Sequence, residues 1–171
     1  DRGKMRIIVA GGDGFCGWPT ALYLSKQGHD VSIIDNGVRR KIDDELRSNS
    51  ITPIADLEDR VAKWKELTGK EICTYQGDLN HYDFLREVLK RELPDAFVHF
   101  AEQRSAPYSM IDREHTVYTQ VNNIVGTLNV IYGMKEIVPD CHLIKLGTMG
   151  EYGGPNIPIE DRRTRSTWNE R

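Results

Sequence analysis

The sequence has few cysteines. Three occur in 171 residues, an odd number that argues against a disulfide framework. Cys16, Cys73 and Cys141 each lie within or beside an apolar segment, so we expect reduced thiols in the core. None has the spacing of a zinc ligand, and Cys141 and His142 would point to opposite faces of a strand. The sequence therefore favours a protein that needs neither disulfides nor a metal ion.

Long apolar runs are also lacking. No segment approaches the roughly 18 apolar residues that a membrane-spanning helix requires. The charged residues 1–4 pass directly into a strand-like run, with no signal peptide between them. We therefore expect a cytoplasmic location.

Neither sign of charge dominates the chain. Lys and Arg number 23 against 26 Asp and Glu, which gives a net charge of −3 and a pI near 6.0. This balance provides no general attraction to nucleic acid or to an anionic membrane, so any phosphate must be bound by local geometry. With 39% apolar residues the chain can bury one core, and we expect small-molecule partners.

Strand-like and helix-like segments alternate along the sequence. Strands are predicted at 5–10, 31–35, 72–75, 96–100 and 143–146. Helices are predicted at 18–27, 54–67, 82–93 and about 112–137, and a polar insertion at 37–53. This alternation predicts a doubly wound α/β fold of the Rossmann type, with a parallel sheet of order 3-2-1-4-5. We expect a dinucleotide-binding domain at 1–160 and a disordered, arginine-rich tail at 161–171.

A glycine motif follows the first predicted strand. Gly11, Gly14 and Gly17 provide a tight turn, a close approach of the backbone to a pyrophosphate, and close packing of helix on strand. Asp35 ends the second strand at roughly the twenty-residue offset expected of a carboxylate that binds the adenosine ribose hydroxyls. Together these residues predict a dinucleotide site.

The charges near Asp35 bear on which dinucleotide binds. A carboxylate disfavours the 2′-phosphate of NADP, whereas Arg39 and Arg40 in the following loop would attract it. Because Asp35 is at the strand end itself, we expect NAD to be preferred. Arg40 is interpreted as a solvated charge.

Further polar residues follow other strands. Asp78 either hydrogen-bonds the adenine, with Leu79 covering the ring, or caps the helix that begins near His81. Asn122 and Asn123 fall inside a predicted helix, where asparagine is a mediocre helix former. One of them either contacts the cofactor or bonds the chain behind it; the alternative is a solvated side chain.

The loop after the fourth strand carries unusually dense chemistry. Gln103, Arg104 and Ser105 supply an amide, a guanidinium and a hydroxyl at the edge where an open α/β sheet binds its ligand. These groups suit an anionic substrate. The alternative for Arg104 is a structural ion pair with Glu102 or Asp112.

Several motifs together resemble the extended short-chain dehydrogenase/reductase family of nucleotide-sugar enzymes. They are Gly-Gly-Asp-Gly-Phe-Cys-Gly-Trp (11–18), Asp-Asn-Gly-Val-Arg-Arg (35–40), the 100–112 segment and Leu-Gly-Thr-Met-Gly-Glu-Tyr-Gly (146–153). In such enzymes a Ser or Thr at the position of Thr148 hydrogen-bonds the sugar hydroxyl that loses hydride. The resemblance implies NAD as cofactor, and as its binding residues Gly11, Gly14, Phe15, Cys16, Gly17, Asp35, Asn36, Arg39, Asp78, Leu79 and Asn122.

The match points to the branch of this family that joins sulfite to UDP-glucose. The implied route oxidises the sugar at C4, eliminates water across C5 and C6, adds sulfite and restores the C4 hydroxyl. Gln103, Arg104, Ser105 and Thr148 would bind the substrates, with Thr148 catalytic, and a homodimer is possible. Hexose dehydratases carry an Asp-Glu pair where this chain has Met149 and Gly150, which argues against dehydratase activity.

The chain departs from the family in one respect. The Tyr-x-x-x-Lys pair that accepts the hydroxyl proton is expected beyond Thr148, but Tyr152 has Asn156 four residues on. We therefore expect an amino-terminal, truncated form of the enzyme. The alternatives are a UDP-sugar 4-epimerase or dehydratase, and a non-catalytic NAD-binding module.

Overall fold

The structure, a computed structural model, describes residues 3–48 and 50–147. Within them a single parallel sheet has the strand order β3-β2-β1-β4-β5, as predicted. The strands are β1 (Arg6–Ala10), β2 (Asp30–Asp35), β3 (Ile72–Gln76), β4 (Ala96–His99) and β5 (His142–Lys145). Thr148 and the predicted tail at 161–171 lie outside the described residues.

Helices connect the strands. They are α1 (Gly17–Lys26), α2 (Val38–Glu45), α3 (Leu57–Thr68), α4 (Tyr82–Glu92), α5 (Ala106–Ser109), α6 (Arg113–Gln120) and α7 (Gly126–Ile137). Pro94 follows α4 and Gly69, with a φ of +70°, ends α3, so both helix ends agree with their sequence signals. No helix in the described part of the chain has the length and apolar character needed to cross a membrane.

The central strands are buried on both faces. Ile8 and Ala10 of β1 face α4 and α7, where they pack with Leu85, Leu89 and Val130. Ile7 and Val9 point the other way, into a second cluster that includes Ala21 of α1. A strand covered on both sides must be apolar at every position, which is why β1 has no polar alternation.

Two helical features differ from the prediction. No helix is predicted in residues 37–53, but α2 lies there; only Val38 and Ile42 of its eight residues are apolar and none is fully buried, which is too short a pattern to establish a helical period. The helix predicted at about 112–137 comprises α6, a π-helical segment at Val121–Val125, and α7. The π-helical segment forms i to i+5 hydrogen bonds, so it holds one more residue per turn than the α-helices on either side.

The cysteines are free, as predicted, but they are not core residues. Cys16 and Cys73 are exposed and Cys141 is half-buried. Cys16 lies in the glycine turn, whereas Cys73 is on β3, an edge strand of the described sheet with exposed positions. Adjacency to an apolar run was therefore misleading, because the run around Cys73 is not covered on both faces.

Replacing Leu85 by alanine should destabilise the fold by about 2–5 kcal/mol, because its side chain is fully buried between α4 and the sheet. Leu67→Ala is a matched control, since Leu67 is 69% exposed, and should change stability by no more than about 0.5 kcal/mol. Urea unfolding measures both free energies. Equal effects of the two substitutions would contradict this core assignment.

Candidate functional site

A cavity of about 280 Å³ opens at the carboxyl edge of the sheet. The turns after β1, β2 and β3 and the loop after β4 line this cavity. Every residue predicted to bind the cofactor is among its lining residues, together with Gln103 and Arg104. Ser105 is close in sequence but does not line the cavity. The structure thus brings the predicted site residues together, while their contacts with a ligand stay predictions.

The glycine turn depends on close backbone contacts. Gly11 has a φ of +80°, and a Cβ added there would lie 2.7 Å from the carbonyl carbon of Phe100. A Cβ at Gly17 would collide with the carbonyl oxygen of Gly11. Helix α1 begins at Gly17, and the side chain of Cys16 does not cap it. Trp18 donates its N–H to the carbonyl of Gly14 at 3.1 Å, and Pro19 has no N–H. In the first turn of α1 the N–H of Gly17 is therefore the one left for an anion in the cavity.

Asp35 lies at the junction of two turns. Its carboxylate accepts hydrogen bonds from the N–H of Asp13 at 2.9 Å and from the N–H of Gly37 at 2.8 Å. Burial raises the pKa of Asp35, although the two N–H donors act to lower it. A half-buried carboxylate with unused lone pairs at the cavity wall is well suited to accept ribose hydroxyls.

Asp78 is not the cap of helix α4. The residue at that N-cap is His81, whereas the Asp78 carboxylate accepts from the N–H of Asn80 at 2.8 Å and from the amide of Asn36 at 3.1 Å. Asn36 and Asp78 therefore form one hydrogen-bonded wall of the cavity. Leu79 beside them is 6% exposed and belongs to the core. The cap alternative for Asp78 is therefore wrong, and its contact with the adenine stays a prediction.

Arg40 is not a solvated charge, so that interpretation is wrong. Its Nε lies 2.9 Å from Oδ2 of Asp13, and its Nη2 donates to Oδ1 of Asp13 at 3.1 Å. Arg60 pairs with the same carboxylate and stacks on the ring of Trp18 at 4.5 Å. Helices α2 and α3 thereby both hold the glycine turn.

The side chain of Gln103 is used within its own loop. Its Oε1 accepts from the N–H of Ser105 at 2.6 Å, and its Nε2 donates to the Ser105 carbonyl at 3.0 Å and to Oγ1 of Thr119 at 2.9 Å. The Ser105 hydroxyl accepts from the N–H of Tyr108 and caps α5. The polar groups of both side chains therefore hold the shape of the loop. Arg104 lies between them and lines the cavity.

Asn122 and Asn123 have different partners. Asn123 bonds the Gln103 backbone twice, accepting its N–H at 2.9 Å and donating to its carbonyl at 2.8 Å. Asn122 lines the cavity and donates to Oδ1 of Asn123 at 2.9 Å. Asn123 thus bonds the chain behind the cavity, whereas a contact of Asn122 with the cofactor stays a prediction.

Arg104 lacks both structural partners considered for it. Glu102 pairs with Lys145 of β5, and Asp112 pairs with His115. Among the described residues, no carboxylate lies within ion-pair distance of the exposed Arg104 guanidinium. A cationic side chain that lines the cavity without a counter-ion in this part of the chain is suited to a mobile anion.

A polar cluster fixes the base of the same loop. His115 is hydrogen-bonded on both ring nitrogens, to Asp112 at 2.7 Å and to Glu45 at 2.9 Å. The Tyr108 hydroxyl donates to the other Glu45 oxygen at 3.0 Å. The last residue of α2 is thereby tied to α5 and α6. His115 therefore has a structural setting.

Sequence reasoning missed Asp13, Arg60, Glu45 and His115. Arg60 and Asp13 are 47 positions apart in the sequence, and His115 and Glu45 are 70 positions apart, so no local spacing indicates these contacts. A weak signal did exist for Asp13, since an acidic residue inside a turn meant for phosphates must be neutralised by a nearby cation.

Comparison with known proteins agrees with this geometry. Residues 7–170 match the NAD dependent epimerase/dehydratase family. UDP-sulfoquinovose synthase of Spinacia oleracea, a chloroplastic protein, is 55% identical over 169 residues, covering 99% of this chain and 35% of its own length. The UDP-sulfoquinovose synthase of Sulfolobus acidocaldarius is 50% identical over 157 residues, covering 92% of this chain and 40% of that protein.

A solved structure extends the comparison. UDP-glucose 4-epimerase from Bifidobacterium longum, in complex with NAD+ and UDP, superposes with a TM-score of 0.66 at 26% identity, covering 91% of this chain and 41% of that chain. The chain therefore spans less than half the length of each of these three proteins.

The His115 cluster should titrate. Hydrogen bonds to Asp112 and Glu45 raise the pKa of His115, so the cluster stabilises the fold fully below the unfolded pKa of about 6.5. That stability is lost as pH rises through the raised value. Glu45→Gln should lower the pKa of His115, measured by NMR titration of the imidazole, whereas Glu66→Gln on α3 should leave it unchanged. An unaltered pKa in Glu45→Gln would contradict the pairing.

Proposed function

Because the chain belongs to the NAD dependent epimerase/dehydratase family, we propose that it is the cofactor-binding part of an enzyme that makes UDP-sulfoquinovose from UDP-glucose and sulfite. The observation that carries this proposal is the 55% identity with the spinach UDP-sulfoquinovose synthase across 99% of the chain. A cytoplasmic location stays a prediction, and the spinach relative is chloroplastic.

NAD is the cofactor that suits the cavity lined by the glycine turn and Asp35. The N–H of Gly17 at the start of α1 and the close-packed turn between Gly11 and Gly17 would hold the pyrophosphate. Asp35 would accept the adenosine ribose hydroxyls, while Asp78, Leu79, Asn36 and Arg39 would surround the adenine end. When bound, NAD supplies a reversible hydride acceptor for a sugar carbon that bears a hydroxyl.

In this proposal the loop after β4 supplies the sulfite site. Arg104 lines the cavity and has the planar guanidinium that pairs best with an oxyanion. Gln103 holds the loop through the Ser105 backbone and Thr119, and Asn123 holds it from behind. The anion-binding guanidinium is therefore presented by a loop whose backbone is fixed before substrate arrives, which lowers the ordering cost of binding.

Two further roles rest on the resemblance. Thr148, which follows β5 by three residues, is proposed to hydrogen-bond the sugar hydroxyl at C4, although it lies outside the described residues. A homodimer is proposed as the assembly. Both belong to the complete protein, of which this chain covers about a third of the spinach relative's length.

The function is tested with full-length protein, UDP-glucose, NAD and radiolabelled sulfite. Transfer of label into a sugar nucleotide supports the proposal. Formation of UDP-galactose without label would show an epimerase instead. Binding of NAD with no change in UDP-glucose would show a non-catalytic binding module. The two contrary outcomes correspond to the alternative functions that the sequence leaves open.

Asp35→Ala should weaken NAD binding by about 1.5–3 kcal/mol, because charge-assisted hydrogen bonds to the ribose are lost. The parent protein should bind NAD more tightly than NADP, since the buried carboxylate disfavours a 2′-phosphate. Titration with both dinucleotides by calorimetry measures the two preferences. Tighter binding of NADP by the parent would assign the preference to Arg39 and Arg40 rather than to Asp35.

Arg104→Lys retains the charge and loses the planar fork. A substrate role predicts an unchanged melting temperature and NAD affinity with sharply reduced turnover in the full-length enzyme. Arg47→Lys is a control, because Arg47 lies in the turn after α2, away from the cavity lining. A variant that melts several degrees lower and keeps its turnover would make Arg104 a structural tie.

A further inference from the structure

Asp13 places a negative charge inside the turn that would face the cofactor phosphates. Its side chain is 10% exposed, and its carboxylate forms ion pairs with Arg40 of α2 and with Arg60 of α3. Arg60 is itself 14% exposed and lies against Trp18, so it anchors the carboxylate from within. Arg40 is 36% exposed and reaches the carboxylate from the surface.

This ion-pair cluster adjoins the proposed ribose site. The backbone N–H of Asp13 donates to the carboxylate of Asp35 at 2.9 Å, so one residue both orients Asp35 and occupies Arg40. A second cavity, of about 310 Å³, lies beside Asp35, and Asp13, Gly37 and Arg40 contribute to its lining. A group attached to the ribose 2′-oxygen at Asp35 would enter this region.

The second cavity leaves space beside Asp35, so discrimination against a 2′-phosphate there would have to come from charge. Arg40 is the cation nearest to that region, and its donors are taken by Asp13 and by the carbonyl oxygen of Ala55 at 2.9 Å. Asp13 and Asp35 together balance Arg40 and Arg60. Arg39, which lines the first cavity, has its Nε 3.7 Å from Oδ2 of Asp43, so each arginine near Asp35 has a carboxylate partner. A 2′-phosphate would have to displace Asp13 from a bidentate pair to gain Arg40.

We propose that Asp13 is a specificity-determining residue, which selects NAD over NADP by holding Arg40 away from the ribose 2′-position. The discrimination then has two parts: Asp35 repels the phosphate, and Asp13 withholds the arginine that would attract it. The burial that raises the pKa of Asp35 agrees with a site unable to accept further negative charge. The proposal rests on the proposed contact between Asp35 and the ribose.

The principal test is Asp13→Asn in the full-length protein. This change retains side-chain size and the backbone N–H to Asp35 but removes the charge that holds Arg40. Competition against NADH fluorescence gives the Kd of NAD and of NADP. The NADP affinity should rise relative to that of NAD by about ten- to a hundredfold, the range for charge-assisted hydrogen bonds gained by a phosphate. An unchanged ratio would overturn the proposal.

Two companion variants identify the responsible group. Adding Arg40→Gln to Asp13→Asn should abolish the gain, and a gain that survives would overturn the assignment to Arg40. Asp56→Asn is the matched control: Asp56 also pairs with Arg40, at 3.4 Å, but it is 81% exposed and lies outside the glycine turn. It should leave the NADP to NAD ratio unchanged, and a ratio shifted as much as by Asp13→Asn would overturn the special role of Asp13.

Two measurements distinguish this proposal from a folding defect and from failure of the function proposed above. Arg40→Gln alone, with Asp13 intact, should leave the weak NADP affinity unchanged because Arg40 is already occupied; a selective loss of NADP binding would overturn the proposal. Asp35→Asn tests the ribose contact separately. An unchanged NAD affinity in that variant would remove the ribose placement, while the Asp13→Asn ratio would still decide the role of Asp13.

Discussion

The close approach between the end of β1 and the start of α1 is the contact on which the site depends. A Cβ at Gly17 would collide with the carbonyl oxygen of Gly11, and Gly11 lies against the backbone of Phe100 after β4. The Gly11 N–H also donates to the carbonyl of Ile34 in β2 at 2.8 Å. Three strand ends therefore meet around one residue without a side chain. Their meeting creates the cavity, because backbone N–H groups and strand-end side chains then face the same space.

The two halves of the cavity use different chemistry. On the glycine side, backbone groups and the buried Asp35 form a fixed polar surface whose ionic neighbours neutralise one another. On the side of the β4 loop, the positive charge of Arg104 faces the cavity, while the other polar groups of the loop are bonded within the protein. The division separates a neutralised polar surface on the glycine side from a cation, unpaired among the described residues, on the side of the β4 loop.

The sequence predicts those parts of the fold that depend on local patterns. Strand order followed from apolar runs separated by helices, and the glycine spacing with Asp35 located the cavity. Helix α2 escaped prediction because it buries no residue, and α5 because its four residues carry no periodicity. Arg40 was misread because its partner, Asp13, is 27 positions away and their contact depends on the packed turn. Gln103 has the chemistry of a ligand-binding residue, and only the structure shows its amide to be committed to Ser105 and Thr119.

The π-helical segment at Val121–Val125 determines what the deletion of one residue there would do to the site. More residues make up each π-helical turn, so neighbouring side chains are separated by a smaller angle around the axis than in an α-helix. Asn122 at the cavity and Asn123 behind the Gln103 loop are consecutive residues that bond to one another. Loss of one codon within the segment would restore a regular α-helix at little cost to α6 or α7. It would nevertheless rotate one asparagine away from its present partners, so the support of the Gln103 loop depends on the π-helical segment.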